Sequence, residues 1–442
     1  MIFRLNSVEE LSTEVIKRMI NKVKQYDIPR LNKLGDYYMD KNQVLKRVQE
    51  DKSKPNNKIA HPYARYITDT FTGYFLGDAV SYTSNENIEA YKSILDYNDE
   101  QQENIELGKL ASIFGKAWEL LYIDSDGDIR FTAIDPREVI PVYGLKQDSE
   151  LVAAIRFYER YDVVKDNTYL MIDVYDTEKV VHYQTSTSVG SFEFLDEVRH
   201  PFNSVPFVLY DNNKEELGDY EEVIGLIDAY DALVSDGLND FDYFCDAYLA
   251  LYGYTADSDD VAAMKKNRVL LLDQGTSAEF LIKQGDSTGL ETTKERIEKD
   301  IHKFAMVPNS SDENFGGNAS GVAMKYKMLG TENVAAIKEQ YFRKGLVSRA
   351  EKIGYVMALL RLSSFDWRGI EVIFTRNIPV NEDEVTSMIT SLNGIVSKET
   401  LLSQLPFVHD AKAELEALNK ESANQIRSLA GFTTIKQEKE EE

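Results

Sequence analysis

Cysteine is almost missing from this 442-residue chain: Cys245 stands alone, so no intrachain disulfide can form. A disulfide-stapled fold is excluded, and a reducing, intracellular setting is expected. No run of about 18 apolar residues occurs, which leaves no candidate membrane-spanning helix. The first residues, MIFRLNSVEELSTEV, lack a basic stretch followed by an apolar one, so no signal peptide is expected. Positive charge is in deficit: 50 Lys and Arg against 75 Asp and Glu leave a net charge of -25. Affinity for nucleic acid comes mainly from neutralising phosphates with Lys and Arg. A chain this acidic is suited to touching DNA without holding it, and solubility is the simplest reading of its charge.

Catalytic signatures are also missing. His61, His182, His200, His302 and His409 are scattered, with no H-E-x-x-H and no cysteine at ligand spacing, so no metal site is expected. There is no G-x-S-x-G elbow. Gly316 and Gly321 have the G-x-x-x-x-G spacing of a phosphate loop, but Val322 and Ala323 stand where Lys and Ser/Thr must reach the phosphates and magnesium. Asp124, Asp126 and Asp128 resemble the opening of a calcium loop, yet its twelfth position is Asp135 instead of Glu. A hairpin turn is the better reading there. No cofactor is expected.

What is present is ordinary material for a folded protein: 43% hydrophobic residues, with 26 Tyr and 20 Phe for cores and subunit contacts. The length fits about three domains, or one large body with insertions. Ser7-x-x-Glu10 reads as a capping box opening an amphipathic helix to about Gln25, with Leu11, Val15, Ile16, Met19, Ile20 and Val23 at helical spacing. Residues 49–58 read as a loop, and 60–77, 88–96 and 103–117 as helices. A hairpin is expected from Glu119–Ile123 and Ile129–Ile134 around Asp124-Ser-Asp-Gly127. Segments 139–143, 151–160, 168–175, 178–184 and 190–198 continue as an antiparallel meander rich in Val and Tyr.

Asp219-x-x-Glu222 opens a rod of about 25 to 30 residues, roughly 40 Å long. Val223, Ile227, Tyr230, Val234, Leu238, Phe241 and Cys245 recur along it. A small α/β insertion follows over 255–289, then a helix over 290–305 and a Gly-rich loop from Val307 to Gly321. Helical character persists from about Ser320 to Leu362, with a bend expected near Gly330 or Gly345. Ile370–Phe374 reads as a strand, and 381–393, 398–404 and 410–429 as helices before a charged tail. Basic residues cluster at Lys265, Lys266 and Arg268 and at Lys325 and Lys327, without the aromatic interleaving of a nucleic-acid platform. These features favour a structural or assembly role for an α+β protein and name none.

Several segments together resemble the portal family of siphophages infecting Gram-positive bacteria. They are 57–77 (NKIAHPYARYITDTFTGYFLG), 228–251 (DAYDALVSDGLNDFDYFCDAYLAL), 307–328 (VPNSSDENFGGNASGVAMKYKM), 374–384 (FTRNIPVNEDE) and 392–402 (LNGIVSKETLL). The resemblance implies a portal fold in a ring of about twelve subunits around a tunnel for double-stranded DNA. It maps a wing onto 1–218 and 331–387, stem helices onto 219–250 and 290–307, and a small α/β clip onto 251–289. It maps the tunnel loop and the start of the tunnel helix onto 308–330, and a helical crown with its acidic tail onto 388–442.

Ser310, Ser311, Asp312, Glu313, Asn314, Phe315, Gly316, Gly317, Asn318, Ser320, Lys325 and Lys327 would then line the DNA tunnel. Lys265, Lys266 and Arg268 would lie in the partner-binding clip. The implied partners are the large terminase ATPase, head–tail connectors and the major capsid and scaffolding proteins, with no membrane. The implied location is the portal vertex of the virion, after assembly in the host cytoplasm. The alternatives are another ring-forming head–tail adaptor or structural assembly protein, an enzyme, and a helical scaffold that forms no ring.

Overall fold

The computed structural model describes residues 2–51, 54–146, 150–186, 189–245, 248–252, 277–281, 287–309, 326–362, 365–376, 382–405, 408, 411–412 and 414–422. The chain divides into two compact units. The first comprises residues 1–35, 66–219 and 306–442; the second comprises 36–65 and 220–305.

The strands, in chain order, are β1 (Phe3–Arg4), β2 (Ser81–Thr83), β3 (Lys116–Ile123), β4 (Ile129–Ile134), β5 (Val139–Tyr143), β6 (Leu151–Asp162), β7 (Asn167–Tyr175), β8 (Lys179–Ser186), β9 (Glu193–Arg199), β10 (Phe207–Asp211), β11 (Tyr248–Tyr252), β12 (Ser277–Leu281) and β13 (Glu371–Ile373). The helices are α1 (Thr13–Tyr26), α2 (Ile28–Tyr38), α3 (Tyr63–Leu76), α4 (Glu89–Tyr97), α5 (Glu100–Phe114), α6 (Ile224–Cys245), α7 (Ser287–Phe304), α8 (Leu329–Leu359), α9 (Glu382–Leu392) and α10 (Lys398–Leu402).

In the first unit the expected meander forms a six-stranded sheet ordered β1-β5-β6-β7-β8-β9. Only the β1–β5 pairing is parallel. Alternation decides its faces. Leu170, Ile172 and Val174 of β7 share a core with Ile16, Met19, Ile20 and Val23 of α1. The expected hairpin pairs β3 with β4, and β10 completes that sheet on the other side of β3. Its turn is held by Asp124, whose Oδ1 accepts the N–H groups of Asp126 and Asp128, with Gly127 at φ 90°. The acidic triplet therefore serves as turn chemistry. The largest core gathers α3, α4, α5, this second sheet and α8.

Three local expectations are corrected. Ser7 does not cap α1: Glu10 bonds Asn6, and a 3-10 turn covers Val8–Glu10. The helix starts at Thr13 behind Ser12, whose Oγ accepts the Val15 N–H. α2 follows almost at once and was not anticipated, because Pro29 and Gly35 mask its period. The long helix α8 does not break at Gly345; its helical path is interrupted at Met328, two residues before Gly330. Gly345 instead allows close approach, since a Cβ there would meet the Tyr210 ring at 2.4 Å.

In the second unit α6 and α7 pack together, with Gly237 facing Leu290. α6 has 22 residues, shorter than the rod expected, because residues 221–223 form a 3-10 turn. β11 and β12 form an antiparallel ribbon.

Candidate channel-loop base and assembly surfaces

The Gly-rich loop itself lies outside the described residues, but both of its flanks are described. Met306 sits in the left-handed region at φ 55°, an uncommon state for a residue with a Cβ. Its carbonyl accepts the Thr331 hydroxyl at 2.8 Å. The Tyr66 hydroxyl bonds the Pro308 carbonyl at 2.7 Å. The chain leading into the loop is thus tied to α3 and to the first turn of α8.

On the far side, Arg376 bonds Glu332 at 2.9 Å and Glu339 at 2.9 Å, and Tyr74 adds a 2.7 Å bond to Glu332. Burial alone would raise the Glu332 carboxyl, but the bonds from Arg376 and Tyr74 outweigh it and hold the group below its usual range. Burial, and then the bond to Glu332, pushes the Tyr74 hydroxyl well up. Three of the segments that carry the family resemblance meet here: 57–77 supplies Tyr66 and Tyr74, 307–328 supplies Pro308, and 374–384 supplies Arg376.

α8 is fixed to the body by buried charge. Lys338 reaches Asp219 at 2.5 Å, and Asp219 also accepts from Ser112 and Asn212. Eleven residues on, three turns along the same face, Arg349 is fully buried. It bonds Glu119 at 2.6 and 3.0 Å, Glu100 at 2.9 Å and Asn104 at 2.9 Å, over the Phe131 ring. Tyr210 and Tyr82 donate to Glu119 and Glu100. Burial raises the Glu119 carboxyl, against the pull of Arg349.

In the second unit, residues 36–65 run as a strap along α6. Tyr37 bonds Asp228 at 2.5 Å, Arg47 bonds Asp236 at 2.6 Å, and Asn57 bonds Asn239 and Asp242, both at 2.6 Å. Asp231 is the hub: it accepts from Asn42 and the His61 backbone, and His61 Nδ1 lies 2.7 Å away. Burial pushes its carboxyl up. Four of the five aspartates of α6 are therefore engaged within the unit, so acidity here holds structure together. The apolar stripe of α6 changes along its length. Val223, Ile227 and Tyr230 are buried, whereas Leu238 is exposed and Phe241 is 66% exposed. The stripe thus begins in a core and continues to exposed positions.

Of the tunnel residues expected from sequence, Lys327 alone is described. It is half-buried, just before the interruption at Met328. Ser310, Ser311, Asp312, Glu313, Asn314, Phe315, Gly316, Gly317, Asn318, Ser320 and Lys325, and the clip residues Lys265, Lys266 and Arg268, lie outside the described residues. Among the described residues no group of three or more His, Cys, Asp or Glu side chains is placed to hold a metal ion, and no helix is long and apolar enough to cross a membrane. Sequence reading missed Tyr66, Tyr74, Glu332, Arg376 and the Asp231 hub. The first four lie within or beside segments carrying the family resemblance, which was the available signal.

The family comparison covers nearly the whole chain: the model for "Phage portal protein, SPP1 Gp6-like" matches residues 17–428. A portal protein of Clostridium phage phiCD119 is 26% identical over 413 residues, covering 85% of this chain and 89% of the relative. The portal protein of Bacillus phage SPP1 is 24% identical over 468 residues, covering 96% of this chain and 92% of the relative. With the pinned loop base, the anchored α8 and the half-uncovered α6 in place, the match runs from within α1 to beyond α10, and the chain belongs to the SPP1 Gp6-like family of phage portal proteins.

Proposed function

We propose that copies of this chain form a ring of about twelve at one capsid vertex and that double-stranded DNA enters and leaves through its centre. The α6 stripe carries this reading: an apolar surface continuous with a core but open at Leu238 and Phe241 needs a second helix, and an identical neighbour supplies one. In this reading residues 1–218 and 331–387 are wing, α6 and α7 belong to the stem (219–250 and 290–307), 251–289 is the clip, 308–330 the tunnel loop and start of the tunnel helix, and 388–442 the crown. The pinned flanks let the loop change shape at Gly316 and Gly317 while α8 stays fixed. Lys325 and Lys327 offer exchangeable phosphate contacts in an otherwise acidic ring.

The role is structural, so the work of packaging comes from a partner, the large terminase ATPase. The clip, with Lys265, Lys266 and Arg268, meets that motor first and the head–tail connector later. Capsid and scaffolding proteins surround the ring, which assembles in the host cytoplasm and stays in the virion. Blocking synthesis of this chain in the phage that encodes it is expected to give heads without DNA. DNA-filled heads made in its absence would overturn the reading.

A further inference from the structure

Helix α8 carries apolar residues on opposite sides, interspersed with charged ones. One face, with Phe342, Leu346, Ile353 and Val356, is in the core. The opposite face carries Ile337, Tyr355 and Leu359, all exposed. On that side Tyr341, Lys344, Ser348, Glu351, Lys352 and Tyr355 form one wall of a cleft of about 570 Å³, and Trp118, Phe207 and Leu151 are among the residues completing it. This is the size of cavity that takes a ligand or a few side chains. Trp118 is 1% exposed, yet among the described residues its Nε1 has no hydrogen-bond partner, an unusual state for a buried donor. The Lys352 ammonium bonds the Ser204 hydroxyl at 3.0 Å, and burial lowers its pKa against the pull of Glu351 and Glu150. The cleft therefore mixes apolar side chains with the donors of Trp118, Lys344 and Lys352 and the carboxylates of Glu150, Asp211 and Glu351.

A matching projection exists on the same unit. The β6–β7 hairpin ends in Asp162-Val163-Val164-Lys165, where turn chemistry favours polar residues. Val163 is 80% and Val164 95% exposed. The tip is built rigidly: Asp162 Oδ1 accepts the N–H groups of Val164 and Lys165, and Tyr161 bonds Asp166. It offers two apolar side chains, peptide carbonyls and the Lys165 cation. The cleft offers apolar side chains, the Trp118 donor and the three carboxylates of Glu150, Asp211 and Glu351.

Cleft and tip lie at opposite ends of one strand. Leu151 at the start of β6 lines the cleft and Asp162 closes it at the tip, roughly 36 Å away at about 3.3 Å per residue. A projection and a receptor at opposite ends of a rigid sheet suit head-to-tail contacts, which close into a ring when the rotation between copies closes.

We propose that the cleft beside α8 receives the Val163–Val164 hairpin tip of the neighbouring copy of this chain. This rests on the ring reading above and specifies a contact within it. The test uses the full chain with Cys245→Ser, carrying Val164→Cys and Ser348→Cys together, treated with a short bismaleimide. A covalent ladder of subunits is expected from the double variant and not from either single variant. Adding Val163→Asp should cut the ladder at least about tenfold while leaving the melting temperature unchanged, because the residue is exposed. Native mass is measured on the same samples. Rings without a ladder would overturn the contact and leave the portal reading standing. Absence of rings from the unsubstituted chain would remove the portal reading and this contact with it. Rings without a ladder whose Val163→Asp form is also excluded from heads would assign the tip to a capsid-side partner and overturn the proposal.

Discussion

Arg349→Met tests whether buried charge fixes α8 to the body. The guanidinium is wholly buried and satisfies two carboxylates and an amide, so its removal leaves Glu119 and Glu100 in the core without their cation. Breaking such a pair from one side costs about 3–5 kcal/mol. At roughly 2 °C per kcal/mol for a body of this size, the melting temperature should fall by about 6–10 °C. The loss has a pH signature. Burial already raises the Glu119 carboxyl, and the pull from Arg349 that opposes it is gone in the variant. The folded variant then binds a proton more tightly than the unfolded chain, so its stability falls as pH rises from about 5 to 8. The difference from wild type should be largest at the alkaline end. Adding Glu119→Gln should recover part of the loss by removing the stranded charge. Differential scanning calorimetry across this pH range measures all three. A fall under about 2 °C, or a deficit that shrinks as pH rises, would refute the anchoring argument.

Further expectations follow from the loop base and from α8. Gly345→Ala places a Cβ against the Tyr210 ring and should cost about 1–3 kcal/mol in denaturant titration. Glu332 is held below the usual carboxylate range, so its contribution is present above that range and lost as pH falls through its lowered pKa; Arg376→Gln should shift the acid-induced change in Tyr fluorescence to higher pH. Gly316→Pro and Gly317→Pro should each assemble normally and package poorly, scored as DNA-filled heads, because proline fixes φ in a loop proposed to change shape. Replacing Lys325 and Lys327 together by Ala should alter packaging rate without changing ring mass.

The sequence made the regular parts of this fold legible for physical reasons. Strand alternation in β5 to β9 and the turn chemistry of Asp124 to Gly127 are local, so they could be read without the tertiary structure. The period of α6 showed a helix but not that its stripe passes from core to solvent, because buried and interface residues share one composition. The Arg349 cluster was invisible: its carboxylates lie 230 and 249 residues away, and single charged residues read as surface. The strap was hidden for a related reason, since Asn42, Asn57 and His61 show no partner in the sequence until α6 supplies their acceptors. For the Gly-rich loop, its composition gave its place in the chain and the structure supplied bonds around its flanks from Tyr66, Thr331 and Arg376, in three distant parts of the chain.

The most direct test of the central claim is the native mass of the purified chain, with negative-stain images of the same sample and with scaffolding protein added if it stays monomeric. A ring of about twelve subunits of 50.4 kDa, near 600 kDa and with an open centre, is the expected result. A 50.4 kDa species that stays dispersed at high concentration and with scaffolding protein present would contradict it.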